Sequence, residues 1–263
     1  MKKILITLIA LAGVALGADD RLLVEYDFTG DSPLNATYGT GGMQAYNTQG
    51  NTGHSIANGT LTMQGTNGFY SSSGAGYAIY KNTEVTNWSL TLNATLDSGG
   101  TCYSVLQLGG SETEQTPIGF YMGNGSDDRG LFGFEIQNGG RWGVVLPAGT
   151  QLTLNYDSVA TDYTISVYQN ELRLAVGGID VTSYLTRVDT AAGDTTFQQA
   201  FQATQTQGIC WTKLGYASDV GGLGHIPSGG QIHNIAISII PEPATASLSL
   251  LALVGLAARR RRK

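Results

Sequence analysis

Between Trp88 and Leu96 every second residue is apolar: Trp88, Leu90, Leu92, Ala94 and Leu96, with Ser89, Thr91, Asn93 and Thr95 in the gaps. Successive side chains of a strand point to opposite faces, so a strand puts all five apolar residues on one side. A helix would scatter them around its circumference. The same period returns at Leu22, Val24, Tyr26 and Phe28, at Leu152, Leu154 and Tyr156, and at Tyr163, Ile165 and Val167. Tyr77–Tyr80, Tyr103–Leu108, Ile118–Met122, Leu131–Ile136, Arg141–Leu146, Ile209–Tyr216 and Gln231–Ile240 also read as strands, separated by turn-forming residues. Gln169-Asn170 reads as a tight hairpin turn into Leu172, Leu174 and Val176. Residues 30–76 are loop-rich, with room for two short strands and an apolar stretch at Leu61-Thr62-Met63. Residues 178–205 are polar and irregular, and Thr195–Ala203 is the one short helix expected outside the termini. About a dozen strands with no internal repeat imply one all-β domain, a two-sheet antiparallel sandwich.

The two ends do not belong to that sandwich. Lys2 and Lys3 precede an apolar stretch from Ile4 to Val14 and the small residues of Ala15-Leu16-Gly17. This is the pattern of a secretory signal peptide, with cleavage expected after Gly17, or alternatively after Ala18. At the other end, Pro241-Glu242-Pro243 leads into an uncharged, Ala- and Leu-rich run, Ala244–Ala258. The chain closes on Arg259, Arg260, Arg261, Arg262 and Lys263. Those cations hold the end in the cytoplasm while the run forms a short transmembrane helix. The organisation expected is signal peptide 1–17, sandwich 18–240 and tail 241–263.

Setting the ends aside changes the charge. The whole chain carries -6, but half of its 14 basic residues are Lys2, Lys3 and the terminal five. Nineteen of its 20 acidic residues fall between 18 and 240, where seven basic residues remain, so that segment is near -12. Such a surface repels nucleic acid and anionic lipid. Cys102 and Cys210 fall in an exported segment, where a disulfide is the expected state and two buried thiols the alternative.

In its order of Pro-Glu-Pro, apolar run and basic stop, the tail resembles the PEP-CTERM sorting signal. That resemblance implies an exosortase as processing partner after signal peptidase. It also implies an inner-membrane-anchored intermediate and a final place at the cell surface or in the extracellular matrix. The core resembles a second family. Trp88-Ser89-Leu90-Thr91-Leu92, Ser104-Val105-Leu106-Gln107-Leu108-Gly109, Arg141-Trp142-Gly143-Val144-Val145 and the hairpin from Tyr163 to Leu172 follow the strand order of LamG-like domains. Lys213-Leu214-Gly215 and Gly230–Ile237 resemble the closing strands, whereas Glu171 stands where Gly is usual. The resemblance implies a concanavalin A-like jelly roll, a fold that hosts lectins, adhesion modules and glycosidases.

Chemistry is thinly marked. A glycosidase needs two carboxylates across the scissile bond. Glu25 and Asp27 share one face of a strand, but Gly30 stands where a third acid would complete the motif; Glu112 and Glu114 read as a solvated pair. His54, His225 and His233 have no metal-site spacing, and His233 reads as a satisfied, partly buried histidine. Calcium is the one candidate ligand, at Asp127 and Asp128 in an oxygen-rich turn or at Asp19-Asp20; no other cofactor is expected. Trp142, Trp211, Tyr121 and Tyr168 are candidate platforms for sugar rings, while Trp88 belongs to the core. The expectation is a surface-sorted, non-enzymatic sandwich that binds glycan or extracellular polymer. A polysaccharide-active glycosidase and a ligand-free coat component are the alternatives.

Overall fold

The computed structural model describes residues 21–39, 42–47, 54–63, 67–71, 87–97, 102–109, 118–125, 130–136, 139–189, 195–204, 211–215 and 226–240. The leader, the strand expected at Tyr77–Tyr80, Glu112, Glu114, Asp127, Asp128, Cys210, His225 and the tail from Pro241 to Lys263 lie outside them.

In chain order the strands begin with β1 (Arg21–Tyr26), β2 (Met43–Asn47), β3 (His54–Ala57), β4 (Thr60–Met63) and β5 (Asn67–Ser71). Then come β6 (Trp88–Thr95), β7 (Tyr103–Gly109), β8 (Ile118–Met122), β9 (Phe132–Ile136) and β10 (Gly140–Val144). β11 (Thr161–Tyr168), β12 (Glu171–Val176) and β13 (Ile179–Asp180) precede a single 3₁₀ turn, Thr182–Tyr184. β14 (Leu185–Arg187), helix α1 (Phe197–Thr204), β15 (Trp211–Leu214) and β16 (Gln231–Ile239) follow. They form two antiparallel sheets of eight strands. The first runs β13-β12-β11-β6-β16-β4-β3, with β1 also on β16; the second runs β14-β10-β9-β8-β7-β15-β5-β2. The expected two-sheet sandwich is the observed architecture. Among the described residues no helix is long and apolar enough to cross a membrane.

The alternation at Trp88–Leu96 sits at the centre of the first sheet. Leu90 pairs with Ile165 on one side and Ile237 on the other, and all three are buried. The outer face of the same strands is hydrogen-bonded polar surface. Thr91 meets Thr164 at 3.2 Å, and the Asn93 amide donates to Asp162 at 2.6 Å. His233 lies between the hydroxyls of Thr60 at 3.2 Å and Thr95 at 2.9 Å. This is the satisfied histidine that the sequence suggests.

Three strands depart from a strict period of two. The ladder shifts between Leu22 and Val24, between Ser104 and Leu106, and between Ile232 and Asn234. Each shift inserts one residue, so the inward residues on either side are three apart, as Ile232 and Ile235 are. β1 lies antiparallel to β16, with Arg21 opposite Ile239.

Two expectations need correction. Leu152, Leu154 and Tyr156 alternate but form no strand; just beyond them the chain makes only an isolated bridge, Asp157 to Leu96. Their half-buried side chains pack on the core instead, and the Tyr156 ring meets Phe132 edge-on at 5.2 Å. The loop-rich segment 30–76 holds four strands rather than two, β2 to β5, divided between both sheets.

Helix α1 closes one side of the sandwich. Phe197, Ala200 and Phe201 are buried at spacings of three and four, so one face of a short helix docks on β9, β12 and β14. Its start is a reciprocal capping box: the Thr196 N–H donates to Gln199 Oε1 at 2.8 Å, and the Gln199 N–H donates to Thr196 Oγ1 at 3.3 Å. The helix also covers the outer edge of β12. Gln198 Nε2 donates to the Leu172 carbonyl and Gln198 Oε1 accepts from the Leu172 N–H. Two residues on, the Leu174 N–H donates to Thr182 Oγ1 at 2.9 Å.

Candidate functional site

The short, polar stretch between β12 and α1 helps to line an open cavity. Its volume is about 770 Å³, and it lies between the edge of the first sheet and the edge of the second. Trp142, Leu185 and Phe197 supply its apolar wall. Glu171 and Arg173 come from β12, Asp180 from β13 and Arg187 from β14. The hydroxyls of Ser183, Thr186 and Thr196 complete the rim. A concave, partly aromatic cleft with convergent polar groups is the usual form of a small-ligand site.

Its centre is a fixed stack. Trp142 is nearly buried, and its indole N–H donates to the Gly139 carbonyl at 3.0 Å. The Phe197 ring meets it edge-on at 5.8 Å, and the Arg187 guanidinium lies over it at 5.9 Å. Asp189 holds that guanidinium in place. One carboxylate oxygen accepts from Arg187 Nε at 2.6 Å, and the other accepts from the Arg141 backbone N–H at 2.8 Å. Gly140, at φ +86°, makes the arrangement possible: a Cβ there would collide with Asp189 Oδ2 and come within 2.8 Å of Arg187 Nη2. A second pair, Arg173 and Glu171 at 2.9 Å, stands on the open rim with both side chains about half exposed.

The sequence candidates scatter. Trp142 lines the cavity, but Arg187 already covers its ring, so the open aromatic platform expected there becomes an arginine resting on indole. Tyr121 is corrected. It lies on the face of β8 turned from the core, yet it is fully buried, with Arg141 over its ring at 5.7 Å and Cys102 packed beside it. Ser104 and Gln107 on β7 are fully buried as well, and are bonded to each other at 3.1 Å. Tyr168 is half-buried at the end of β11, opposite Glu171 of the cavity rim but not itself part of the lining. Trp211 opens β15 opposite Gly109.

Glu25 and Asp27 have structural partners. Glu25 accepts from the Asn234 amide at 2.7 Å. Asp27 caps a turn, accepting from the Thr29 and Thr37 hydroxyls at 2.6 and 2.7 Å and from the Thr29 N–H at 3.0 Å. These bonds, led by the Thr29 hydroxyl, hold its carboxyl below the usual carboxylate range. Among the described residues no group of three His, Cys, Asp or Glu side chains could hold a metal ion.

Sequence reasoning passed over Glu171, Arg173, Asp180, Arg187 and Asp189. One local signal pointed at them, Arg187-x-Asp189, an opposite-charge pair at the end of β14; Thr196-x-x-Gln199, a capping box, marked the helix beside them.

No family model matches the chain, and no curated protein does. Solved structures do. Trypanosoma rangeli sialidase in complex with sialic acid is 12% identical, with a TM-score of 0.52 over 87% of this chain and 32% of that one. A mutant of the same sialidase displaying trans-sialidase activity is 11% identical, with a TM-score of 0.51 over 84% and 31%. Domain 4 of AbnA, a GH43 extracellular arabinanase from Geobacillus stearothermophilus solved with arabinotriose, is 12% identical, with a TM-score of 0.48 over 83% and 92%. This chain spans about a third of the sialidase chains. At these identities the likeness is one of fold. It still overturns the exclusion of enzymatic activity made from sequence, because the sandwich is a fold that glycosidase chains contain.

Proposed function

We propose that this chain is a glycan-directed β-sandwich whose sugar site is the cavity beneath Arg187. One observation carries the reading. The arginine is clamped by Asp189, laid over Trp142 and surrounded by hydroxyls and carboxylates, which sets directional donors and acceptors around an apolar wall. Sugars match that combination, having apolar ring faces and an edge of hydroxyls. The fold shared with sialidase chains supports a carbohydrate role.

Hydrolysis is the second form of this reading, and the cavity favours it by holding two carboxylates, Glu171 and Asp180. The strand texture of the core supports a concanavalin A-like jelly roll within the same proposal. Pro241-Glu242-Pro243 and the basic stop support export and exosortase processing to the cell surface. A glycan array paired with a product assay on polysaccharides tests the reading. Binding lost on Arg187→Met places recognition in the cavity. Product formation lost in Glu171→Gln or Asp180→Asn places hydrolysis there. Absence of both binding and product removes the proposal.

A further inference from the structure

The charge arrangement of the cavity says which sugars it takes, given that it takes sugars at all. Arginines in a binding cleft ordinarily announce an anionic ligand. Here each is already neutralised from inside the protein. Arg187 is held by Asp189 at 2.6 Å, and Arg173 by Glu171 at 2.9 Å. Asp180 remains, its carboxylate accepting from the Thr182 N–H at 2.9 Å. The wall and its immediate partners therefore carry two cations against three carboxylates. Helix α1 starts at the cavity, and a helix start favours anions, but its Gln199 N–H is occupied by Thr196. The field around the cleft points the same way, since residues 18–240 hold nineteen acids and seven bases.

From this we infer that the cavity selects neutral oligosaccharides and excludes sugars bearing carboxylate or sulfate. An ionised sugar would compete with Asp189 for Arg187, whose pair is mostly shielded from water, and would add its charge to an already negative field. A neutral sugar meets neither penalty. A guanidinium whose Nε is committed to a carboxylate keeps other N–H donors for sugar oxygens, and Glu171 and Asp180 can accept from sugar hydroxyls. The inference rests on the glycan reading above and departs from the sialic acid bound to the sialidase of which this chain matches about a third.

The test is calorimetric titration of the purified protein with neutral arabino-, xylo- and gluco-oligosaccharides, and with sialyllactose and oligogalacturonate, at low and high salt. A neutral ligand is expected to bind with an affinity that changes less than about two-fold with salt, because no net ionic contact is screened. Acidic ligands are expected not to bind. Glu171→Gln, a substitution on the open rim, releases Arg173, and Asp189→Asn releases Arg187; either should raise acidic-ligand affinity about ten-fold or more. An acidic ligand that binds the unaltered protein, weakens with salt and is lost on Arg187→Met overturns the inference and leaves the glycan reading standing. A neutral ligand unaffected by Arg187→Met and Glu171→Gln together overturns the placement. No binding by any sugar overturns both.

Discussion

Gln198 bonds the main chain of Leu172 twice: its Nε2 donates to the Leu172 carbonyl at 2.7 Å, and its Oε1 accepts from the Leu172 N–H at 3.0 Å. One side-chain amide thus does what a neighbouring strand would do for that residue. β13 covers Ala175 and Val176, and Val181 and Thr182 cover Leu174, so without Gln198 the Leu172 groups on the β12 edge would lie open to pairing with another chain.

Gln198→Leu keeps the bulk of the side chain and removes both bonds. Urea denaturation should show a loss of about 1–3 kcal/mol with an unchanged m-value, and light scattering should show concentration-dependent association. Gln202→Leu, which loses only a 3.2 Å bond to the Asn170 carbonyl on an exposed side chain, should lose less than about 1 kcal/mol. Equal effects would remove the edge argument.

Gly140→Ala strains the backbone and displaces Asp189. The left-handed conformation alone costs a residue with a Cβ about 1–2 kcal/mol. Because Asp189 clamps Arg187, the same change should loosen the stack on Trp142 and weaken any sugar bound there, which gives a loss of affinity beyond the loss of stability. Normal melting together with normal binding would contradict this account of Gly140.

Alkaline pH should unfold the protein through its buried phenols. Tyr103 and Tyr163 are fully buried, with hydroxyls bonded to the carbonyls of Asp97 at 2.7 Å and Tyr156 at 3.3 Å. Burial is the main cause pushing both pKa values well above the ordinary tyrosine range. The folded state keeps protons that the unfolded state releases from about pH 10. Their contribution to stability is therefore complete below that pH and falls as pH rises beyond it. Phenolate absorbance and fluorescence followed together should show these tyrosines ionising in step with unfolding. Combined Tyr103→Phe and Tyr163→Phe should flatten the alkaline decline. Ionisation of every tyrosine while the fold persists would refute the mechanism.

Asn170→Gly should stabilise the β11–β12 hairpin by about 0.5–1 kcal/mol. Gln169 and Asn170 both have positive φ, 50° and 66°, as a type I′ turn requires. Tyr168 pairs directly with Glu171, so the loop has two residues and its glycine-preferring place is 170. A lower melting temperature in the variant would count against this turn type.

That hairpin also shows where sequence reasoning works and where it stops. The turn and both strands were legible because they rest on neighbouring residues: alternation on either side and Asn in a turn position. The resemblance placed the usual glycine at Glu171, yet Glu171 is the first residue of β12. The clefted edge was illegible for a different reason. Arg187 touches Trp142, which is distant in sequence, and Gln198 bonds Leu172 across 26 positions. No window of local periodicity contains such pairs. The Leu152–Tyr156 segment errs in the opposite direction, since alternation reports which side is buried and not whether a partner strand exists. Tyr121 departs from the platform expected of it because the outer face of its sheet is covered there, by Arg141 and Cys102.

The pairing of Arg21 with Ile239 has a mechanical consequence. Both ends of the sandwich leave from the same end of one two-strand ladder. A tether pulling on the C-terminal end against anything holding the N-terminal end would load the β1–β16 hydrogen bonds one after another, as a zip opens, and not all at once in shear. Such a domain yields from its margin inwards under tension, while Leu90, Ile165 and the cleft at the far edge of the sheet keep their places until β1 has peeled away.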